Sequence, residues 1–146
     1  MTVFEEIKKF KRKFRSTIAW RIRRHSKIIE KHLNPDEVVT FAFAAQGDRS
    51  SLEMFNTYAV VLTNKRILLA QKRVVFGYTF LAITPDMFND LTVYSGLIWG
   101  KVYIDTVKET VILSNISKSA LYEIETNITE YMMNEKMKYK ENNQDR

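Results

Sequence analysis

His25 and His32 are the only imidazoles in the chain, and they lie seven residues apart. On one helix that spacing means about 10.5 Å of rise, whereas joint chelation of a metal from a helix uses a spacing of four. The pair therefore reads as two side chains on a half-apolar face. Asp86 and Asp90, with Asn89 between them, flank a short loop without a calcium-loop pattern. Gly47, Gly77, Gly96 and Gly100 form no phosphate-cradling loop. The absence of cysteine excludes a disulfide framework, a thiolate metal site and a cysteine nucleophile. No nucleophile stands beside a partnered base. No catalytic residue, metal, cofactor or small-molecule substrate is expected, and the chain reads as non-enzymatic.

The chemical signal is cationic instead. Residues 1–33 hold eleven Lys/Arg against three Glu, a net +8, while residues 34–146 hold twelve Lys/Arg against fourteen Asp/Glu, a net −2. Such asymmetry points to an attachment or partner-binding arm. The candidate anion- or membrane-binding residues are Lys8, Lys9, Lys11, Arg12, Lys13, Arg15, Arg21, Arg23 and Arg24, opposed by Glu5 and Glu6. Phe4, Phe10 and Phe14 are candidates for membrane insertion or for packing.

These residues need a helix to position them. Val3, Ile7, Phe10, Phe14, Ile18, Ile22, Ile29 and Leu33 recur at helical spacing and fall in one stripe at about 100° per residue. The pattern predicts one amphipathic helix from Val3 to Leu33, ended by Asn34-Pro35 because the residue before proline leaves the α region. His25 and His32 fall in the stripe, Lys11 and Arg21 interrupt it, and Trp20 sits opposite it, where a solvated face would not call for tryptophan.

Beyond residue 34 the pattern changes to strands at about 37–46, 56–63, 66–73, 76–83, 90–95, 98–105 and 109–115, separated by turn-forming residues. In the first strand Val39, Phe41 and Phe43 share one face, with Val38, Thr40, Ala42 and Ala44 on the other. A C-terminal helix follows from about Lys118 to Tyr139, with Ser117 as its N-cap and Leu121, Ile124, Ile128, Tyr131 and Met132 as its apolar face. Residues 141–146 read as a frayed polar tail.

Two hairpins are informative. A two-residue loop at Asn64-Lys65 sets Leu62 opposite Ile67 and Val61 opposite Leu68, with Asn64 expected to take the positive φ such a turn favours. One face then carries Tyr58, Val60, Leu62, Ile67 and Leu69, and the other Ala59, Val61, Leu68 and Ala70. Both are apolar, so the second needs a cover: the N-terminal helix or another chain. Lys65 and Arg66 are two cations at its tip, available to an anion or simply solvated. In the later hairpin a turn at Gly96-Leu97 sets Tyr94 opposite Trp99 and Leu91 opposite Val102. Trp20, Tyr94, Trp99 and Tyr103 are the interface candidates.

Strands closed by one amphipathic helix indicate a mainly β, α+β domain. The stretches "LNPDEVV", "VVLTNKRILLAQKR", "ITPDMFNDLTVYSGLIWGKVYIDTVKE" and "EIETNITEYMM" resemble bacterial pleckstrin-homology-like proteins over about residues 33–139. The resemblance implies a seven-stranded antiparallel barrel or sandwich closed by a C-terminal helix, here preceded by the basic helix. The chain then divides into a helical arm at 1–33, a PH-like domain at 34–140 and a tail at 141–146. Eukaryotic members often bind phosphoinositides through basic residues in the loop between the first two strands. Here that loop, Gly47 to Glu53, offers one Arg against an Asp and a Glu, so this property does not carry over.

The expected function is a non-enzymatic interaction or scaffold module that self-associates and presents its basic helix to an anionic membrane. The alternatives are a protein-interaction module without lipid binding and, third, a nucleic-acid-binding arm, disfavoured by the phenylalanine stripe. With no span of ~20 apolar residues and no signal-peptide core, the expected location is cytoplasmic, with peripheral attachment at the inner face of the membrane.

Overall fold

The computed structural model describes residues 2–47, 56–74 and 76–144. Two helices come first, α1 (Val3–Lys13) and α2 (Ile22–His32). Seven strands follow: β1 (Val39–Gly47), β2 (Thr57–Thr63), β3 (Ile67–Lys72), β4 (Tyr78–Ile83), β5 (Phe88–Ser95), β6 (Trp99–Thr106) and β7 (Thr110–Ser117). A short 3-10 turn, Lys118–Ala120, leads into α3 (Leu121–Gln144). The expected polar tail is thus helical as far as residue 144, and Ser117 makes no side-chain cap.

The strands form one antiparallel sheet in the order β4-β3-β2-β1-β7-β6-β5. It curls into a half-barrel, with β4 and β5 as its edges. β1 and β7 meet over only Gln46↔Ser114 and Gly47↔Leu113 before they diverge. On the concave side Leu121, Ile124, Ile128 and Met132 of α3 pack with Phe88, Leu91, Val102 and Ile104.

The β2–β3 hairpin has the register its sequence implies, with Leu62↔Ile67, Val61↔Leu68 and Val60↔Leu69. Val60, Leu62, Ile67 and Leu69 belong to the concave core. Ala59, Val61, Leu68 and Ala70 belong to a second core on the convex side, with Ala42 and Ala44 of β1. Its cover is the N-terminal segment: Val3 and Ile7 from α1, Ala19, and Ile28 and Ile29 from α2. The small side chains on this face of β1 and β2 let the helices approach closely. The positive φ expected at Asn64 is absent, since Arg21 and Asn115 are the described non-glycine residues with φ above zero. The turn is held instead by the Thr63 hydroxyl, which accepts the amides of Lys65 and Arg66 at 3.1 Å each. In β1 a register shift between Val39 and Phe41 places Val39 against the convex core rather than with Phe43.

One long helix was the expectation for residues 3–33, and the chain breaks it in two. α1 begins with a capping box in which Thr2 and Glu5 exchange hydrogen bonds. It ends as Phe14 turns into the concave core beside Phe10, their centroids 4.9 Å apart, with Phe10 also 5.6 Å from Phe43. Residues 16–20 are then captured by strand ends. The Ile18 amide donates to the Asn115 carbonyl at 2.9 Å, the Ser117 amide to Thr17 Oγ1 at 2.8 Å, and the Trp20 amide to Thr57 Oγ1 at 3.1 Å. Arg21, at φ 55°, reverses the chain into α2. A left-handed non-glycine residue costs about 1–2 kcal/mol, which the strand-end bonds and the burial of α2 offset.

Ile7 and Ile29 are fully buried. Ile7→Ala and Ile29→Ala are each expected to lower unfolding stability by about 2–4 kcal/mol, measured by denaturant titration. A value near zero would mean that the helices do not cover the sheet in solution.

Candidate functional site

The fold sorts the N-terminal segment by chemistry. Its apolar stripe faces the half-barrel, and most of its cations face out. Lys8, Lys9, Arg12, Lys13, Arg15, Arg23 and Arg24 are exposed. Lys8, Lys11, Arg12 and Arg15 surround a shallow hollow of about 310 Å³ on α1. Lys11 also donates to the Ala19 carbonyl at 2.7 Å, and Lys13 pairs with Glu123 of α3 at 3.4 Å. Phe10 and Phe14 are buried and present no ring to a surface. Phe4 is half-buried, with Lys8 and Arg23 over its ring at 5.0 and 4.9 Å.

Arg21 is turned inward, its Nη1 donating to the Lys72 carbonyl at 3.1 Å. The Lys72 amide donates to Nδ1 of buried His25 at 2.8 Å. The main chain of Lys72, the last residue of β3, is thereby held at both its N–H and its C=O. Burial, with the Arg21 charge adding to it, pushes the His25 pKa down to about 4, so the ring stays neutral and accepts. His32 stacks on Phe80 at 4.0 Å. The two histidines thus serve separate roles.

Beside this anchor lies a basic cleft of about 300 Å³ between α2 and the β3–β4 hairpin, lined by Arg24, Lys27, Ile28, Lys31, His32, Lys72 and Tyr78. Of its cations only Arg24 was among the candidates read from sequence. The signal for the others was the spacing 24, 27, 31, which places three cations on one helical face.

Lys65 and Arg66 are neutralised at home. Lys65 pairs with Asp36 at 2.6 Å. Arg66 grips the buried Glu37 carboxylate through Nε at 2.9 Å and Nη2 at 3.0 Å, and Nη2 also donates to the His32 carbonyl at the end of α2 at 3.0 Å. Burial pushes the Glu37 pKa up, but hydrogen bonds from Arg66, Thr63 and the Asn34 amide outweigh it and hold the carboxyl below its ordinary value.

The interface candidates divide. Trp99 Nε1 donates to the Ser16 carbonyl at 2.6 Å, which uses its polar edge inside the fold. Trp20 stays half exposed. Tyr94 and Tyr103 meet edge to face at 5.1 Å. The β5–β6 pairing is Leu91↔Ile104 and Tyr94↔Lys101, two residues along β6 from the expected partners. The Gly96 amide donates to the Trp99 carbonyl, so Leu97 and Ile98 form the turn. A Cβ at Gly96 would lie 2.6 Å from that carbonyl oxygen, so close approach is what requires glycine there. A shift of two preserves the faces, and Leu91, Val102 and Ile104 still point inward. The loop from Asp48 to Glu53, weighed above for phosphoinositide contacts, lies outside the described residues. Among the described residues no three His, Asp or Glu side chains converge as a metal site, and no helix is long and apolar enough to cross a membrane.

The sequence profile of the bacterial PH domain matches residues 33–130. The chain belongs to the bacterial PH domain family. PH domains are in general non-catalytic modules for protein or lipid interactions. A pleckstrin homology domain from Shewanella amazonensis SB2B is similar in structure, with a TM-score of 0.48 and 15% identity over 75% of this chain and 86% of that one. None of the curated proteins matches. α1 and α2 precede the matched span and carry most of the exposed cations described above.

Two consequences are measurable. Unfolded His25 takes a proton below about pH 6.5 while the folded ring resists until about 4, so stability falls as pH drops through that window, by up to about 3 kcal/mol. His25→Asn, which keeps an acceptor but does not titrate, should flatten the unfolding-midpoint profile between these pH values; an equally steep profile would exclude His25 as the source. Separately, Arg66→Met should cost about 3–5 kcal/mol by stranding a buried carboxylate, and adding Glu37→Gln should recover much of it. Equal stability of the single and double variants in urea would refute the coupling.

Proposed function

We propose that this bacterial PH domain is a non-catalytic interaction module that attaches peripherally to anionic membrane surfaces through its N-terminal helices. The observation that carries this reading is the sorting of those helices. Their apolar residues are consumed by the half-barrel, yet the cations, including Lys8, Lys9, Arg12, Arg15, Arg23 and Arg24, remain outside. A cover for an apolar sheet has no need of a net +8. With Phe10 and Phe14 buried, α1 contributes electrostatic attraction, worth at most about 1 kcal/mol per cation near the lipid. Phosphate contacts alone would serve nucleic acid as well, so the two are separated by experiment.

A second reading rests on another place. The tip of the β5–β6 hairpin exposes Tyr94, Leu97 (92%), Ile98 and one side of Trp99. That patch suits self-association or a protein partner. Leu97→Asp should lower any concentration-dependent oligomer seen by light scattering without affecting membrane attachment.

The deciding test is flotation of the full chain with vesicles of phosphatidylglycerol in phosphatidylcholine, against phosphatidylcholine alone, at physiological salt. The chain is expected to float only with the anionic vesicles. Lys8→Glu/Arg12→Glu/Arg15→Glu should weaken binding by about tenfold or more. Absence of flotation, with tight binding to duplex DNA that falls steeply with salt, would transfer the basic face to nucleic acid.

A further inference from the structure

We propose that the cleft between α2 and the β3–β4 hairpin is the place where lipid is held: Arg24, Lys27, Lys31 and Lys72 clasp anionic phospholipid headgroups while Val74 and Phe76 at the hairpin tip enter the membrane. The proposal rests on the membrane reading above and gives it a site.

Three observations converge. The first is charge. Arg24, Lys27 and Lys31 follow one another at spacings of three and four on α2, and Lys72 faces them from β3. Like charges at these spacings repel. Among the described residues none of the four is paired with a carboxylate. Glu30, the one acid of α2, turns away and accepts the Val3 amide of α1 at 3.0 Å. An anion in the cleft relieves a repulsion that the fold leaves standing.

The second is preorganisation. Lys72 is fixed at its amide by His25 and at its carbonyl by Arg21, whose left-handed backbone brings α2 alongside β3. The cleft wall is therefore built rather than incidental.

The third is the tip itself. Lys72↔Tyr78 is the last pair of the β3–β4 ladder, so the turn begins where the cleft ends. The Arg73 amide donates to the Gly77 carbonyl, and Gly77 has φ 69° with open space around it. A turn in water favours small polar residues. This one exposes Val74 and Phe76, the latter at 83%. An apolar prong beside a row of cations matches a surface whose anionic headgroups overlie hydrocarbon. A soluble phosphate would use the cations and leave the prong without a purpose.

The chain has no cysteine, so Phe76→Cys gives a single site for an environment-sensitive fluorophore. Leu97→Cys places the same probe on the β5–β6 hairpin as a control. Both positions are exposed, and unchanged unfolding midpoints verify the fold. The Phe76 probe is expected to brighten several-fold and shift to the blue with phosphatidylglycerol vesicles, and to stay unchanged with phosphatidylcholine. The Leu97 probe should remain unchanged with both. Lys27→Glu/Lys31→Glu should weaken the response by about tenfold or more. If the protein floats while the Phe76 probe is silent, or if the reversal has no effect, the cleft is not the docking site and attachment runs through α1. If glycerol phosphate binds with no vesicle response, the cleft serves a soluble anion and the docking site is overturned. If nothing floats, this proposal and the membrane reading fail together.

Discussion

The β2–β3 hairpin is apolar on both faces, and the rest of the molecule is arranged around that constraint. A sheet with one wet face leaves its second side to solvent, but Val61 and Leu68 cannot be left there. Burying a side chain of this kind contributes about 1.5–3 kcal/mol, and the convex face presents Val61 and Leu68 together with four buried alanines. Covering them needs a wide apolar surface close to the sheet. The alanines of β1, β2 and β3 supply the closeness, and α1 and α2 supply the width. The cations follow as the remaining faces of those helices. The cationic surface is thus placed where it is by a packing requirement on the opposite side of the same helices.

The boundary of the matched family and the boundary of the folded unit do not coincide. The match begins at residue 33, yet Arg66 in the β2–β3 turn holds the carbonyl of His32 and the carboxylate of Glu37 with one guanidinium. Val3, Ile7 and Ile29 are as buried as the strand interiors. The helices are part of the hydrophobic interior, and a charge placed on them is rigidly referenced to the sheet.

Much of this was legible in the sequence, and the exceptions have physical causes. The seven strands followed from apolar runs bounded by turn-forming residues, and the β2–β3 register from the two-residue polar tip at Asn64-Lys65, since both faces of that hairpin are apolar. Asn64 takes no positive φ because the Thr63 hydroxyl holds the turn through the amides of Lys65 and Arg66. The β5–β6 register slipped by two because Gly96 looked like a turn residue. Its role is to let the Trp99 carbonyl come close. The single long helix failed because the apolar stripe stays in phase across the break, so periodicity alone could not reveal it. The interruption comes from strand ends far along the chain that capture residues 16–20. For the same reason, Phe10 and Phe14 could be read as apolar but not assigned a destination. Of the cleft, Arg24 is visible in the sequence as charge, whereas Lys27, Lys31 and Lys72 form one surface because β3 runs beside α2, a contact between distant segments that no local pattern encodes.

The bonds between residues 16–20 and the strand ends also bear on the order of assembly. Ser16 is tied to Trp99 across 83 residues and Thr17 to Ser117 across 100. During synthesis the basic helices emerge before the strands but cannot complete their seat until β6 and β7 have been made. Loop closure over such distances is slow, so the convex face of β2 and β3 spends part of biosynthesis uncovered. The seat of the N-terminal helices is therefore among the last parts of this domain to be completed, although its residues precede every strand in the chain.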